Sequence, residues 1–164
     1  MIHIKQSQTA DTRSAQGPVD KETLLASSYQ HINDVRKAMR WMADMLIAAA
    51  GEHDYTKIEN IDEFHADFKL MQAGGLADFK AAHWFHDLHL KERHHLTDRC
   101  PDGVDLFDVL ERIADITMAG MGRTGNIYKD ELPPEMLARA YQNTIELLKG
   151  QIVVEAAGVA KSEV

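Results

Sequence analysis

The sequence has one cysteine, Cys100, in 164 residues. No internal disulfide can staple the fold, and a reducing compartment is expected. Proline is scarce, with four residues of which two are adjacent at Pro133–Pro134, so few positions forbid helix. No apolar run reaches the roughly 18 residues that a membrane-spanning helix needs, and the N-terminus has no apolar signal segment. A cytoplasmic protein with no membrane partner is therefore expected. An excess of basic residues is also missing: the net charge is −8, which argues against a nucleic-acid polymer as partner. A small anion in a locally basic pocket is still allowed. Strand-like alternation, internal repeats and low-complexity segments are absent over any useful length.

What is present is helical spacing. Leu25, Ser28, Ile32, Val35, Met39, Met42, Leu46 and Ala49 recur at alternating steps of three and four. They predict one long helix over 21–50, capped by Asp20 and ended by Gly51, with Leu25, Ile32, Met39 and Leu46 inward. Ile61, Phe64, Phe68 and Met71 give a short helix stopped by Gly74–Gly75, and Leu76, Phe79, His83, His86 and Leu90 give a third. Leu106, Leu110, Ile113, Thr117 and Met121 mark a fourth, with Gly120, Gly122 and Gly125 fraying its end. Pro133–Pro134 opens a last helix over 134–149 with Leu137, Tyr141, Ile145 and Leu148 inward. The expected fold is all-α, a single-domain bundle of at least five helices over 20–150. An extended arm (1–19) precedes it, and a loose or strand-like tail (151–164) follows.

The chemistry is concentrated in histidine: nine residues, five of them between 83 and 95. His31 borders the long stripe, where a lone His is more often a hydrogen-bonded boundary residue than a ligand. In "GEHDYTKI" (51–58), His53–Asp54 reads either as a polar turn after the helix or as adjacent metal ligands. A helix carrying one His and followed by His-Asp can fold back to place three ligands around one ion. In "HWFHDLHLKERHHL", His83 and His86 share the apolar stripe and are expected to face the core. His89 falls beside them, and His94–His95 lie at a helix end. Buried imidazoles need partners, and a shared metal satisfies their ring nitrogens. Imidazole and carboxylate without thiolate suit one or two divalent ions, with Mn, Fe, Ni, Zn and Mg not distinguished. The remaining carboxylate is Asp108 or Asp115, seven residues apart on one face with Glu111 between them. The same acidic strip also reads as a solvated face.

The ordered set His31, His53–Asp54, His86, His94–His95 and Asp115 on an all-α chain resembles the HD-domain superfamily of metal-dependent phosphohydrolases. "HDYTK" is similar to that family's HD-x-x-K segment, and "ERIADITMAG" to the helix carrying its last Asp. More closely, "ADTR", "HINDV", "HDYTK", "RHHL" and "DVLERIADITMAGMGRTG" resemble a small family of phage and bacterial HD-like proteins; the likeness covers roughly residues 10–150. The resemblance implies that His31, His53, Asp54 and the final Asp hold a first metal. It also implies that His86, His94 and His95 hold a second.

In that reading Asp54 bridges two ions and a water activated for attack on phosphorus. Lys57 then meets a phosphate oxygen, and Arg13 and Arg123 clamp the others. For each of these three the competing reading is a surface cation. By family analogy the substrate class is a nucleotide or other small phosphoester, and a homo-oligomer is left open. Two other functions stay in view: an HD-fold di-iron oxygenase, and a non-catalytic HD-like binding module.

Overall fold

A computed structural model describes residues 1–6, 17–97 and 102–156. It is all-α apart from one two-stranded sheet, with six α-helices among the described residues. The chain forms two compact units, Met1–Asp44 with Glu146–Val164, and Met45–Ile145. No helix among the described residues is long and apolar enough to cross a membrane.

In the first unit, β1 (Ile2–Lys5) pairs in parallel with β2 (Ile152–Glu155), Ile2 opposite Ile152 and Lys5 opposite Glu155. The unit also holds most of α1 (Lys21–Glu52). Asp20 caps α1, its Oδ1 accepting the Thr23 N–H at 2.7 Å, and that backbone bond lowers its carboxyl pKa. Lys37 Nζ donates to His3 O at 2.7 Å and Gln30 Nε2 to Lys5 O at 2.9 Å. The face of α1 that meets β1 is therefore polar, and Ser27 is its buried residue. Leu25, Ile32 and Met39, expected inward, are exposed by 52%, 42% and 59%. Leu46, further along, is exposed as well. The three-and-four spacing reports which side chains share a face; it cannot report whether this chain covers that face.

The second unit carries the chemistry. It contains the end of α1, α2 (Tyr55–Glu59), α3 (Ile61–Gly74), α4 (Leu76–Ala81), α5 (Leu106–Thr124) and most of α6 (Pro134–Lys149). The third helix expected from the sequence does not continue to Leu90. At Ala82 the backbone is extended (φ −70°, ψ 152°), and the chain proceeds as a π turn, Trp84–Leu88, and 3-10 turns at His89–Lys91 and Arg93–His95. Trp84 is 1% exposed and stacks on Phe64 with centroids 4.0 Å apart, beside Phe79. A second core joins Leu96, Val104, Val109 and Ala140 with Leu106, Leu132 and Met136.

α5 begins with a capping box. Asp105 accepts from the Phe107 and Asp108 N–H groups, and Asp108 Oδ2 accepts from the Asp105 N–H at 2.7 Å, satisfying orphan amides of the first turn. Its glycines do not fray the end. Gly120 lies where a Cβ would come within 2.5 Å of Asn126 O, so the returning chain crosses close over it. Gly125 (φ 72°) supplies the left-handed residue that ends the helix. On α6, Ala140 and Thr144 are buried, whereas Leu137, Tyr141 and Ile145 are exposed.

Candidate metal centre

"GEHDYTKI" forms the junction between two helices. α1 ends at Glu52, His53–Asp54 make the turn, and α2 starts at Tyr55. Asp54 has φ 55° and ψ 26°, a left-handed conformation that Asp tolerates better than most residues. Its carboxylate faces two groups at once. Oδ2 lies 3.5 Å from His53 Nε2, which is itself 3.8 Å from Asp115 Oδ1 on α5. Oδ1 lies 3.7 Å from His94 Nε2 and 3.8 Å from His89 Nε2, and His89 Nε2 is 3.0 Å from His95 Nε2.

Two atoms that each sit about 2.1 Å from one ion are about 3.0 Å apart at right angles and about 3.4 Å apart at the tetrahedral angle. The His89–His95 separation matches the first value, and the other four, from 3.5 to 3.8 Å, lie slightly above the second, so the donors would draw in by a few tenths of an ångström around an ion. Asp54 Oδ1 and His94 Nε2 are both buried without a hydrogen-bond partner. Orphaned buried acceptors are rare and costly, and an ion is one of the standard explanations. Four overlapping ligand groups result: His53–Asp54–Asp115, Asp54–His94–His95, Asp54–His89–Glu92 and His53–His94–Glu111, each with its donor atoms within 4.8 Å of one another. These donors fit a divalent cation.

Carboxylates behind the imidazoles fix which nitrogen faces inward. Glu111 Oε1 lies 2.8 Å from His53 Nδ1 and 3.0 Å from His94 Nδ1. Glu92 Oε1 lies 3.2 Å from His89 Nδ1 and also accepts from the Thr56 hydroxyl. A carboxylate on one ring nitrogen leaves the other as a lone-pair donor, the usual second layer of a histidine metal site. Trp84 stacks on His89 at 4.7 Å, 13° from parallel, and holds the ring in place. Burial raises the Glu92 carboxyl, but hydrogen bonds from His89 and Thr56 overcome it and hold the pKa at about 2. Burial lowers His94, but the bond to Glu111 together with the charges of Glu111, Glu92 and Asp54 outweighs it, leaving its pKa raised. Burial, reinforced by His89 and His94, pushes His95 down to about 3, so that ring is neutral and able to donate.

Two arginines hold the segment that bears these ligands. Arg93 forks onto Asp108, Nε to Oδ1 and Nη2 to Oδ2, each at 2.7 Å, and reaches Asp105 at 3.1 Å. Arg112 Nη1 donates to His95 O at 2.8 Å while its guanidinium pairs with Asp130. Leu96, which follows His95, is the second non-glycine residue with positive φ (51°), so left-handed turns follow both His53 and His95.

A cleft of about 490 Å³ opens on the His53–Asp54–Asp115 side. Its lining holds those three residues with Glu111, Lys57 and Arg123, and an apolar part made by Leu46, Ala49 and Ala50 of α1 and by Leu110, Ala114, Met118 and Ala119 of α5. Lys57 Nζ donates to Asp54 Oδ2.

Of the residues expected from the sequence, His53, Asp54, His94, His95 and Asp115 come together. His31 does not join them: its side chain is exposed on α1, which runs unbroken to Glu52, so no fold-back occurs. His86 pairs with its neighbour Asp87 and belongs to none of the ligand groups, because the break at Ala82 turns it off the expected stripe. His83 is likewise exposed, against Glu63. Asp108 is taken up by Arg93 and the capping box, which leaves Asp115 as the α5 aspartate in the cluster. Lys57 and Arg123 line the cleft; Arg13 lies outside the described residues. Three members were not assigned as ligands from the sequence: His89, whose role was left open, Glu111, noted only as lying between the two aspartates, and Glu92. Glu111 and Asp115 share a helix face at the i, i+4 spacing, which was the available signal. The chain matches no family model, no curated protein and no solved structure.

Proposed function

We propose that this protein is a metal-dependent phosphohydrolase in which Asp54, with His53 and Asp115 on one side and His94 and His95 on the other, would hold two divalent ions. The observation that carries the reading is the pair of orphaned buried atoms, Asp54 Oδ1 and His94 Nε2, facing one another amid His89 and His95. On the other side of the same carboxylate, His53 and Asp115 offer a second set. Bound ions would supply Lewis acidity and lower the pKa of water. The chain's own contribution is to hold the ligands in register and to collect the anion. Lys57, one turn after Asp54, and Arg123, on the last turn of α5, are the cations of the cleft. In the reaction, water oxygen bonds to phosphorus as the ester P–O bond breaks. One water proton goes to the departing alcohol oxygen, and the other stays on the phosphate.

Asp54→Ala should abolish phosphoester hydrolysis and lower the bound metal, with the helical circular dichroism unchanged. Lys57→Ala should keep its metal and lose about 10²–10³ in kcat, the scale for one preorganised charge contact. Equal activity in both variants and wild type would overturn the reading. The histidine-rich donor set also suits two irons, as in an oxygenase. Iron content with colour, and no hydrolysis after Mn or Mg loading, would favour that reading. Bound metal with no activity of either kind would favour a binding module.

A further inference from the structure

We infer that the cleft beside the ligand cluster takes the apolar alcohol portion of a phosphomonoester, selecting it by size and hydrophobicity; this rests on the phosphohydrolase reading of the same site. The lining combines a charged part with an apolar one. Leu46, Ala49 and Ala50 stand on the last turns of α1, in line with His53 at steps of three and four. Opposite them Leu110, Ala114 and Met118 form one ridge of α5 at i, i+4 and i+8, beside the ridge that carries Glu111 and Asp115.

None of these six side chains has a nitrogen or oxygen, so this part of the lining cannot read a hydrogen-bonding pattern. A polar base placed there would lose water and gain no partner, which is costly. An alkyl or aryl group gains with each methylene it buries, up to about fourfold in affinity at about 0.8 kcal/mol apiece. The alanines leave the width that such a group needs, and about 490 Å³ exceeds what a bare phosphate would use. A phosphate held at Asp54 and Asp115 would have its ester substituent beside solvent-exposed apolar side chains, Leu46, Leu110 and Met118 among them, which it would cover.

The test is a ladder of methyl-, butyl- and hexylphosphonate titrated calorimetrically into the full-length, Mn-loaded protein, with hydrolysis of the matching alkyl phosphates followed in parallel. Affinity is expected to climb about two- to fourfold per methylene until the cleft is filled. Ala114→Phe should keep its Mn and flatten the ladder, and Ala50→Leu should do the same from α1. A flat ladder in wild type overturns the inference even if the phosphates are hydrolysed, which leaves the hydrolase reading standing. A steep ladder without hydrolysis does the reverse. Tighter binding of a nucleoside monophosphate than of hexylphosphonate, or no binding of any phosphonate, also overturns it.

Discussion

Asp54 combines a left-handed backbone with a carboxylate that has one buried, unpartnered oxygen. The turn aims the side chain, and the side chain joins the two ligand sets. Glu111 is its counterpart one layer out, touching the Nδ1 atoms of both His53 and His94. Glu111→Gln keeps the shape but weakens two charge-assisted bonds. Metal affinity should fall about 10- to 100-fold, the usual effect of removing such a partner, measured by competition with a chelating dye.

The metal-free protein should also lose stability on acidification in two stages. Below about pH 6.5 the unfolded state protonates His95 while the folded state resists until about 3. Below about 4.5 the unfolded state protonates Glu92 while the folded state resists until about 2. In both windows the unfolded chain binds more protons, so stability rises with pH. His95→Gln should shrink the first stage and Glu92→Gln the second, to which the lowered carboxyls of Glu111 and Asp130 also contribute, read from denaturant midpoints across pH. His53–Asp54 was legible in the sequence because adjacency is a local property. His89 was not, because helical spacing assigns no direction to a side chain in a π turn.

At the scale of elements, the segment 84–96 and the helix α5 work as one piece. Arg93 ties the segment to the capping box of α5, and Arg112 ties α5 back to the His95 carbonyl. This explains why Asp108 reads falsely as a ligand: burial raises its carboxyl against the pull of Arg93, and its partners are structural. Arg93→Ala should cost about 1–3 kcal/mol by leaving charged bonds at Asp108 unmade, measured by denaturant unfolding. Arg93→Lys should recover only part of this, since an ammonium cannot fork onto both oxygens. The sequence located α1, α3, α5 and α6 well because their spacing runs for three turns or more. It overran α4 because Leu76, Phe79, His83, His86 and Leu90 keep helical steps across a backbone that turns extended at Ala82.

For the molecule as a whole, the all-α class followed from the missing strand pattern, and the small terminal sheet accounts for β1 and β2. The inward stripe of α1 failed because β1 is met by Gln30 and Lys37, not by the leucines. The centre was partly legible for a similar reason: residue types signal chemistry, but only the packing of Trp84, Thr56 and Glu92 chooses which histidine is turned inward. The central claim is the proposal that the donors gathered around Asp54 would hold two divalent ions. Elemental analysis of untagged protein, wild type beside Asp54→Ala, tests it most directly. Two equivalents of divalent metal per chain, lost in the variant while its helicity remains, is the predicted result. Substoichiometric metal in wild type, or equal metal in both proteins, would contradict it.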